Sequence, residues 1–209
     1  MTSPKTIVVF GSAGRVGSLV TTYLLEQGYN VVAFVHRHHN LPDHPNITIM
    51  QGDIYAKKDV DKALANADAV ISTLSSWGTA RKDVLHTAMQ HIVPAMKIHG
   101  IDRIISLTGA EARATNDKLG IIHRFAHFGI SIIGKKVLQD GELHIAELER
   151  SNLNWLVVRS PIMRSGASHS YKLDNHRPHP WALINRESVA RAMVDQITKS
   201  NDNGALFIH

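Results

Sequence analysis

Three glycines spaced by two residues each, in Gly11-Ser12-Ala13-Gly14-Arg15-Val16-Gly17, follow the apolar run Ile7-Val8-Val9-Phe10 and open an amphipathic segment. The chemistry this pattern suits is phosphate binding. In a strand–turn–helix unit the first glycine permits a tight turn, the second lets backbone N–H groups approach a pyrophosphate, and the third lets the helix pack closely on the strand. The start of the helix adds the positive end of its dipole. All seven loop residues are therefore candidate contacts to a nucleotide cofactor. The spacing G-x-x-G-x-x-G differs from the G-x-G-x-x-G of two-domain dehydrogenases. The competing account is that the glycines serve the backbone alone.

A site specific for NAD places Asp or Glu at the end of the second strand, on the ribose hydroxyls. This chain has His36-Arg37-His38-His39 there. A carboxylate is missing and a cation is present, so the 2′-phosphate of NADP is the better guest. Arg37 and His36 would meet it, with Arg15 as a second arm. The bland alternative for Arg37 is a solvated surface charge.

Other chemistry is missing. A catalytic tyrosine of the dehydrogenase type needs Lys four residues on, so that the ammonium lowers the phenol pKa. Four residues after Tyr23, Tyr29, Tyr55 and Tyr171 come Gln27, Ala33, Asp59 and Asn175. Epimerase, dehydratase and secondary-alcohol dehydrogenase chemistry is therefore not expected. His123 and His127 have a spacing that can hold zinc, but the intervening Glu of H-E-x-x-H is lacking, so no metal is expected. Cysteine is absent, which excludes thiolate ligands, thiol nucleophiles and disulfides. Trp77 and Trp181 could stack on a flat substrate or close the core.

Short apolar runs alternate with segments of helical period, as in βαβ units forming a doubly wound, Rossmann-type parallel sheet. Strands are expected at 6–10, 30–35, 47–50, 69–73, 103–108, 155–159 and 205–208. They are rich in Val and Ile with little alternation, as strands covered on both faces should be. Helical stripes run through Val16, Leu19, Val20, Tyr23 and Leu24, through Leu85, Ala88, Met89, Ile92 and Met96, and through Val189, Met193 and Ile197. Gly28 and Gly100 sit where helices should stop. Segments 109–119 and 164–180 are the least regular, and are expected to be mobile substrate walls or short lids.

The 209 residues, 44% hydrophobic and 20% charged, suit one α/β domain. The net charge of +5 is spread over scattered Lys and Arg, which argues against nucleic acid. The four apolar residues before Gly11 are too few for a signal core, and no stretch approaches a membrane span. A cytoplasmic protein working on a small molecule, as monomer or homodimer, is expected.

Further segments carry a family resemblance: Gly52-Asp53-Ile54 after the third strand, Asp68-Ala69-Val70-Ile71-Ser72-Thr73-Leu74 at the fourth, and Val93-Pro94-Ala95-Met96-Lys97-Ile98-His99-Gly100-Ile101-Asp102-Arg103. Others are Leu148–Trp155, Val157-Val158-Arg159-Ser160-Pro161 and Asn185-Arg186-Glu187-Ser188-Val189-Ala190. Over nearly its whole length the chain resembles atypical short-chain dehydrogenases, in the NAD(P)H-binding group of NmrA-like proteins and flavin/biliverdin-IXβ reductase. The resemblance implies that Asp53 and Ile54 flank the adenine and that Leu74, Ser75 and Ser76 line the ribose and pyrophosphate. It puts Thr108 beside the nicotinamide, as the candidate catalytic residue, and Ser160-Pro161-Ile162 over the ring. Asp53 could equally cap the helix at 57–65, and Ser75 and Ser76 could serve the turn. The serine after the fifth strand of that reductase aligns with Gly109, and its active-site histidine aligns near Ile162. The implied activity is NADPH-dependent hydride transfer to a flavin or quinone, with FMN or FAD as candidate substrates. The alternatives are a non-catalytic NADP(H) sensor of NmrA-like type and an enzyme with another small substrate.

Overall fold

The computed structural model describes residues 5–117, 120, 134–168, 170–199 and 203–209. Eight strands form one sheet in the order β3-β2-β1-β4-β5-β6-β10-β8. They are β1 (Thr6–Phe10), β2 (Asn30–Val35), β3 (Ile47–Gln51), β4 (Ala69–Ser72), β5 (Arg103–Gly109), β6 (Asn154–Ser160), β8 (Leu173–Asp174) and β10 (Gly204–Ile208). All neighbours pair in parallel except β8, which closes the edge antiparallel to β10. The strand order reverses between β1 and β4, and that switch point opens a crevice at the carboxyl ends of the strands.

Five described helices cover the sheet: α1 (Gly17–Glu26), α2 (Lys57–Leu64), α3 (Val84–His99), α4 (Lys135–Glu149) and α5 (Arg186–Asp195). Successive strand residues point to opposite faces. Val8 and Phe10 therefore join Val60, Ile92 and Ile145 in a core beneath α2, α3 and α4. Ile7 and Val9 join Val20, Leu24 and Val189 beneath α1 and α5. Both faces of β1 are thus dry, which accounts for its unbroken apolar run. Each fully buried Ile, Leu or Phe contributes roughly 1.5–3 kcal/mol. Gly100 ends α3 in the left-handed region, with φ 67°, where a side chain would be strained.

Seven expected strands are present, with ends shifted by no more than about a residue. The three helical stripes fall on α1, α3 and α5, except that Val16 is the N-cap of α1 and Ile197 lies two residues past α5. The expected irregular segment 164–180 starts within a small parallel sheet that follows β6, formed by β7 (Ile162–Arg164) and β9 (Leu183–Asn185). Strands this short carry too few residues for a period of two to be read. Segments 109–119 and 164–180 are also joined to each other, because the Arg177 guanidinium reaches the Ala110 carbonyl and the Asp117 carboxylate.

Candidate active site

The glycine loop leaves β1 at the switch point. Gly11 has φ 81°, and a Cβ there would lie 2.9 Å from Thr73 Oγ1 and 3.0 Å from the Leu74 nitrogen. A Cβ on Gly17 would collide with the Gly11 carbonyl. Both glycines are therefore demanded by the approach of the loop to β4 and to its own helix. Gly14 is exposed; its N–H closes the turn on the Gly11 carbonyl at 2.9 Å. Ser12 is buried and donates to the Phe34 carbonyl at 3.0 Å, which ties the loop to β2. Ala13 and Arg15 are exposed, and Val16 is buried. Helix α1 starts without a side-chain cap, so its first amides suit phosphate oxygens. A backbone cradle that side chains would fill, at the uncapped start of a helix, fits a dinucleotide pyrophosphate.

Toward the β2–β3 edge of the sheet, His36 and Arg37 follow β2 and are exposed. Asp53, after β3, accepts the Tyr55 N–H at 2.9 Å, while its own N–H goes to the Asp59 carboxylate at 3.0 Å. The cap position of α2 belongs to Ala56, so Asp53 shapes the preceding turn. Ile54 is 8% exposed and packs in the core.

On the other side of the switch point, Leu74 is half-buried and Ser75 exposed. The Ser75 Oγ accepts the Trp77 N–H at 3.2 Å, and the Ser76 hydroxyl donates to the buried Asp140 carboxylate. Thr108 and Gly109 end β5 beside Arg159 and Ser160 of β6. Thr108 is 8% exposed, and no side-chain hydrogen bond joins it to a described residue. The Ser160 hydroxyl donates to the Pro161 carbonyl at 3.0 Å. Ile162 is 60% exposed. The ends of β1, β4, β5 and β6 stand side by side and span about 14 Å at the usual interstrand spacing.

Three polar arrangements behind this edge carry no sequence motif. Asp140 of α4 accepts the Leu85 N–H at 3.0 Å and the His86 N–H at 2.8 Å, so it caps α3 from outside. Ser106 Oγ lies 2.6 Å from His144 Nε2, and both residues are fully buried. Burial, with His86 nearby, pulls the His144 imidazole down to about 3. Arg159 and Arg177 both bind Asp117 and lie over the Phe207 ring at 3.7 and 4.6 Å. Arg177 also stands 3.9 Å from Glu111. Burial lowers both guanidinium pKa values, against the pull of Asp117. Alternation along β6 could have flagged Arg159 as inward-facing, but its partners come from segments distant in the chain.

Arg15 lines a hollow of about 310 Å³ together with Ser18, Leu19, Ser165, Gly166, Arg186 and Glu187. His123 and His127 lie outside the described residues. Among the described residues no group of His, Asp and Glu is placed to hold a metal. No described helix is long and apolar enough to cross a membrane.

Known proteins share this architecture. The chain is 39% identical over 67 residues to a 3-beta-hydroxysteroid dehydrogenase of Mycolicibacterium neoaurum. That match takes in 32% of this chain and 18% of the relative, so the chain spans less than a fifth of the length of this curated relative. An anaerobillin reductase from Escherichia coli superposes with TM-score 0.77 at 18% identity, covering 98% of this chain and 96% of its own. A wide-type short-chain dehydrogenase/reductase from Veillonella parvula, in complex with NADP, superposes with TM-score 0.73 at 19% identity, over 98% and 94%. At these identities the likeness is one of fold. The sequence model of the NAD(P)H-binding family matches residues 11–200, from the first glycine of the loop to just ahead of β10, and the chain belongs to that family.

Proposed function

We propose that the protein is an NADPH-dependent reductase passing hydride to a flat conjugated acceptor of flavin or quinone type. The observation that carries this reading is Thr108, at the end of β5 beside the end of β6 that leads into Ser160 and Pro161. Its hydroxyl lies next to Gly141 of α4 and has no side-chain hydrogen bond to a described residue. Bound NADPH would supply the hydride. The amides at the start of α1 hold the pyrophosphate, while Arg37 and His36 take the 2′-phosphate. Ser160-Pro161-Ile162 lies over the nicotinamide. Thr108 orients the nicotinamide ribose or the acceptor through one neutral hydrogen bond and transfers no proton. A flavin or quinone takes its proton from water, so the site must supply proximity and orientation above all. The NADP bound to one structural relative and the reductase activity named for the other support this use of the fold.

The test is to mix the protein with NADPH and FMN, or a quinone, and follow the absorbance of the reduced nicotinamide. Oxidation of NADPH supports the reductase. Tight NADPH binding without oxidation by any flavin or quinone would overturn it and indicate a protein that reads the redox state of the cofactor.

A further inference from the structure

Three large apolar side chains are exposed on the small β7–β9 sheet and on the turn that leads into β9. Ile162 pairs with Leu183 across the small β7–β9 sheet, and they are 60% and 55% exposed. Trp181, two residues ahead of Leu183, is 67% exposed. Its ring stacks on His179 at 5.2 Å with an interplanar angle of 11°, which holds the indole in place at the surface. The opposite side of the sheet is the covered one: Ile184 is buried and Met163 packs on the core beneath α1 and α5. The strip is therefore a built surface, continuous through Ile162 with the end of β6.

The same face ends in a cation. Arg164 pairs with Asn185 one step beyond Ile162 and Leu183. These residues border a hollow of about 330 Å³, lined also by Leu183, Ser168, Ser170, Lys172 and His209. Lys172 and His209 are both held by Asp174, at 2.7 and 3.0 Å. Among the described residues Arg164 has a different partner, the amide oxygen of Asn185, which its Nε meets at 3.2 Å. The two terminal guanidinium nitrogens face no described carboxylate.

We infer that this face is the acceptor platform: Trp181, Leu183 and Ile162 carry a flat apolar body, and Arg164 binds a carboxylate or phosphate projecting from it. The inference rests on the reductase reading for the hydride donor, and it names the acceptor class as planar and anionic. Apolar area with a single guanidinium at its end suits such a molecule, because the ring system gains from leaving water while the anion keeps a charged partner.

Binding to the NADP⁺-loaded protein tests this without turnover. The probes are FMN against riboflavin, and anthraquinone carboxylate against its methyl ester. At least one anion should bind about tenfold more tightly than its neutral counterpart; the pair that shows the preference tells phosphate from carboxylate. Arg164→Gln should abolish that preference. Trp181→Ala should weaken charged and neutral probes alike by about tenfold, with NADPH affinity unchanged in both variants. No preference in either pair, a preference that survives Arg164→Gln, or parental affinity in Trp181→Ala would overturn the inference. So would a Trp181→Ala variant that changes oligomeric state in light scattering while keeping acceptor affinity, since a second copy of the chain would then be the occupant. If the binding pattern holds but NADPH is not oxidised, the platform stands and the reductase reading falls.

Discussion

Gly141 of α4 faces Thr108 so closely that a Cβ on the glycine would lie 2.7 Å from Thr108 Oγ1 and 3.0 Å from Ala112 Cβ. A glycine inside a helix costs about 0.5–1 kcal/mol relative to alanine. That cost persists here because the helix must meet the end of β5. Gly141→Ala should therefore destabilise, by about 1–3 kcal/mol of overpacking less the helix gain. It should also slow hydride transfer by moving Thr108. Chemical denaturation and single-turnover NADPH oxidation check both effects; a more stable variant with parental turnover would contradict the contact.

Thr108 is a positioning group in the proposed mechanism. Thr108→Ala should lower single-turnover oxidation of NADPH by FMN about tenfold or less, because one neutral hydrogen bond contributes about 1 kcal/mol. The rate should vary little between about pH 6 and 8 in both proteins, apart from titration of the acceptor. Loss of a general acid would cost 10²–10⁴-fold. A thousandfold loss, with a single-proton profile that vanishes in the variant, would show proton donation.

Arg37 stands exposed at the end of β2, where the ribose phosphate of NADP is expected. Arg37→Ala should weaken NADPH about tenfold and leave NADH nearly unchanged, because only the first carries the 2′-phosphate. Calorimetric titration of both cofactors measures the difference. Equal losses would remove Arg37 from the phosphate.

His144 couples folding to pH. Its imidazole sits at about 3 when buried, against an ordinary 6.5. Between these values the unfolded chain binds a proton that the native state refuses. The stabilisation is thus complete above pH 6.5 and is lost as pH falls towards 3. From pH 6.5 to 5 the cost is about 2 kcal/mol, at 1.36 kcal/mol per pH unit. Urea titrations should show this slope in the parent and a shallower one in His144→Gln. Identical slopes would mean that His144 is protonated in the native state.

Asp140 caps α3 in place of Asp83, which stands at the N-cap but makes no side-chain cap bond because its carboxylate accepts from Tyr55 and Arg81. Asp140→Ala leaves the Leu85 and His86 amides and the Ser76 hydroxyl unpaired and should cost roughly 2–3 kcal/mol. Asp140→Asn keeps an acceptor oxygen and should cost less. Thermal unfolding of the two variants gives the order; equal stability in both would mean that water replaces the carboxylate.

Much of the fold is legible along the chain because its signals are local. A central parallel strand is dry on both faces, so β1, β4 and β6 read as unbroken apolar runs, and α1, α3 and α5 as stripes of helical period. The glycine loop is legible for the same reason: a turn, a close approach and a helix start fall within seven consecutive residues. Even there the chain reveals only which residues are small. That Gly11 must clear Thr73, and Gly17 the carbonyl of Gly11, follows from the packing of α1 against β1 and β4.

The rest depends on residues far apart in sequence. Asp140 meets Leu85 and His86 across more than fifty residues, Arg177 meets Asp117 across sixty, and Ser106 finds His144 from a neighbouring element. An Asp, Arg or His within a helix or loop reads as an ordinary solvated charge until tertiary packing removes its water. Trp181 shows the converse. Its indole could as well have closed the core, yet it lies at the surface stacked on His179, while Met163 and Ile184 fill the inner side of the small β7–β9 sheet.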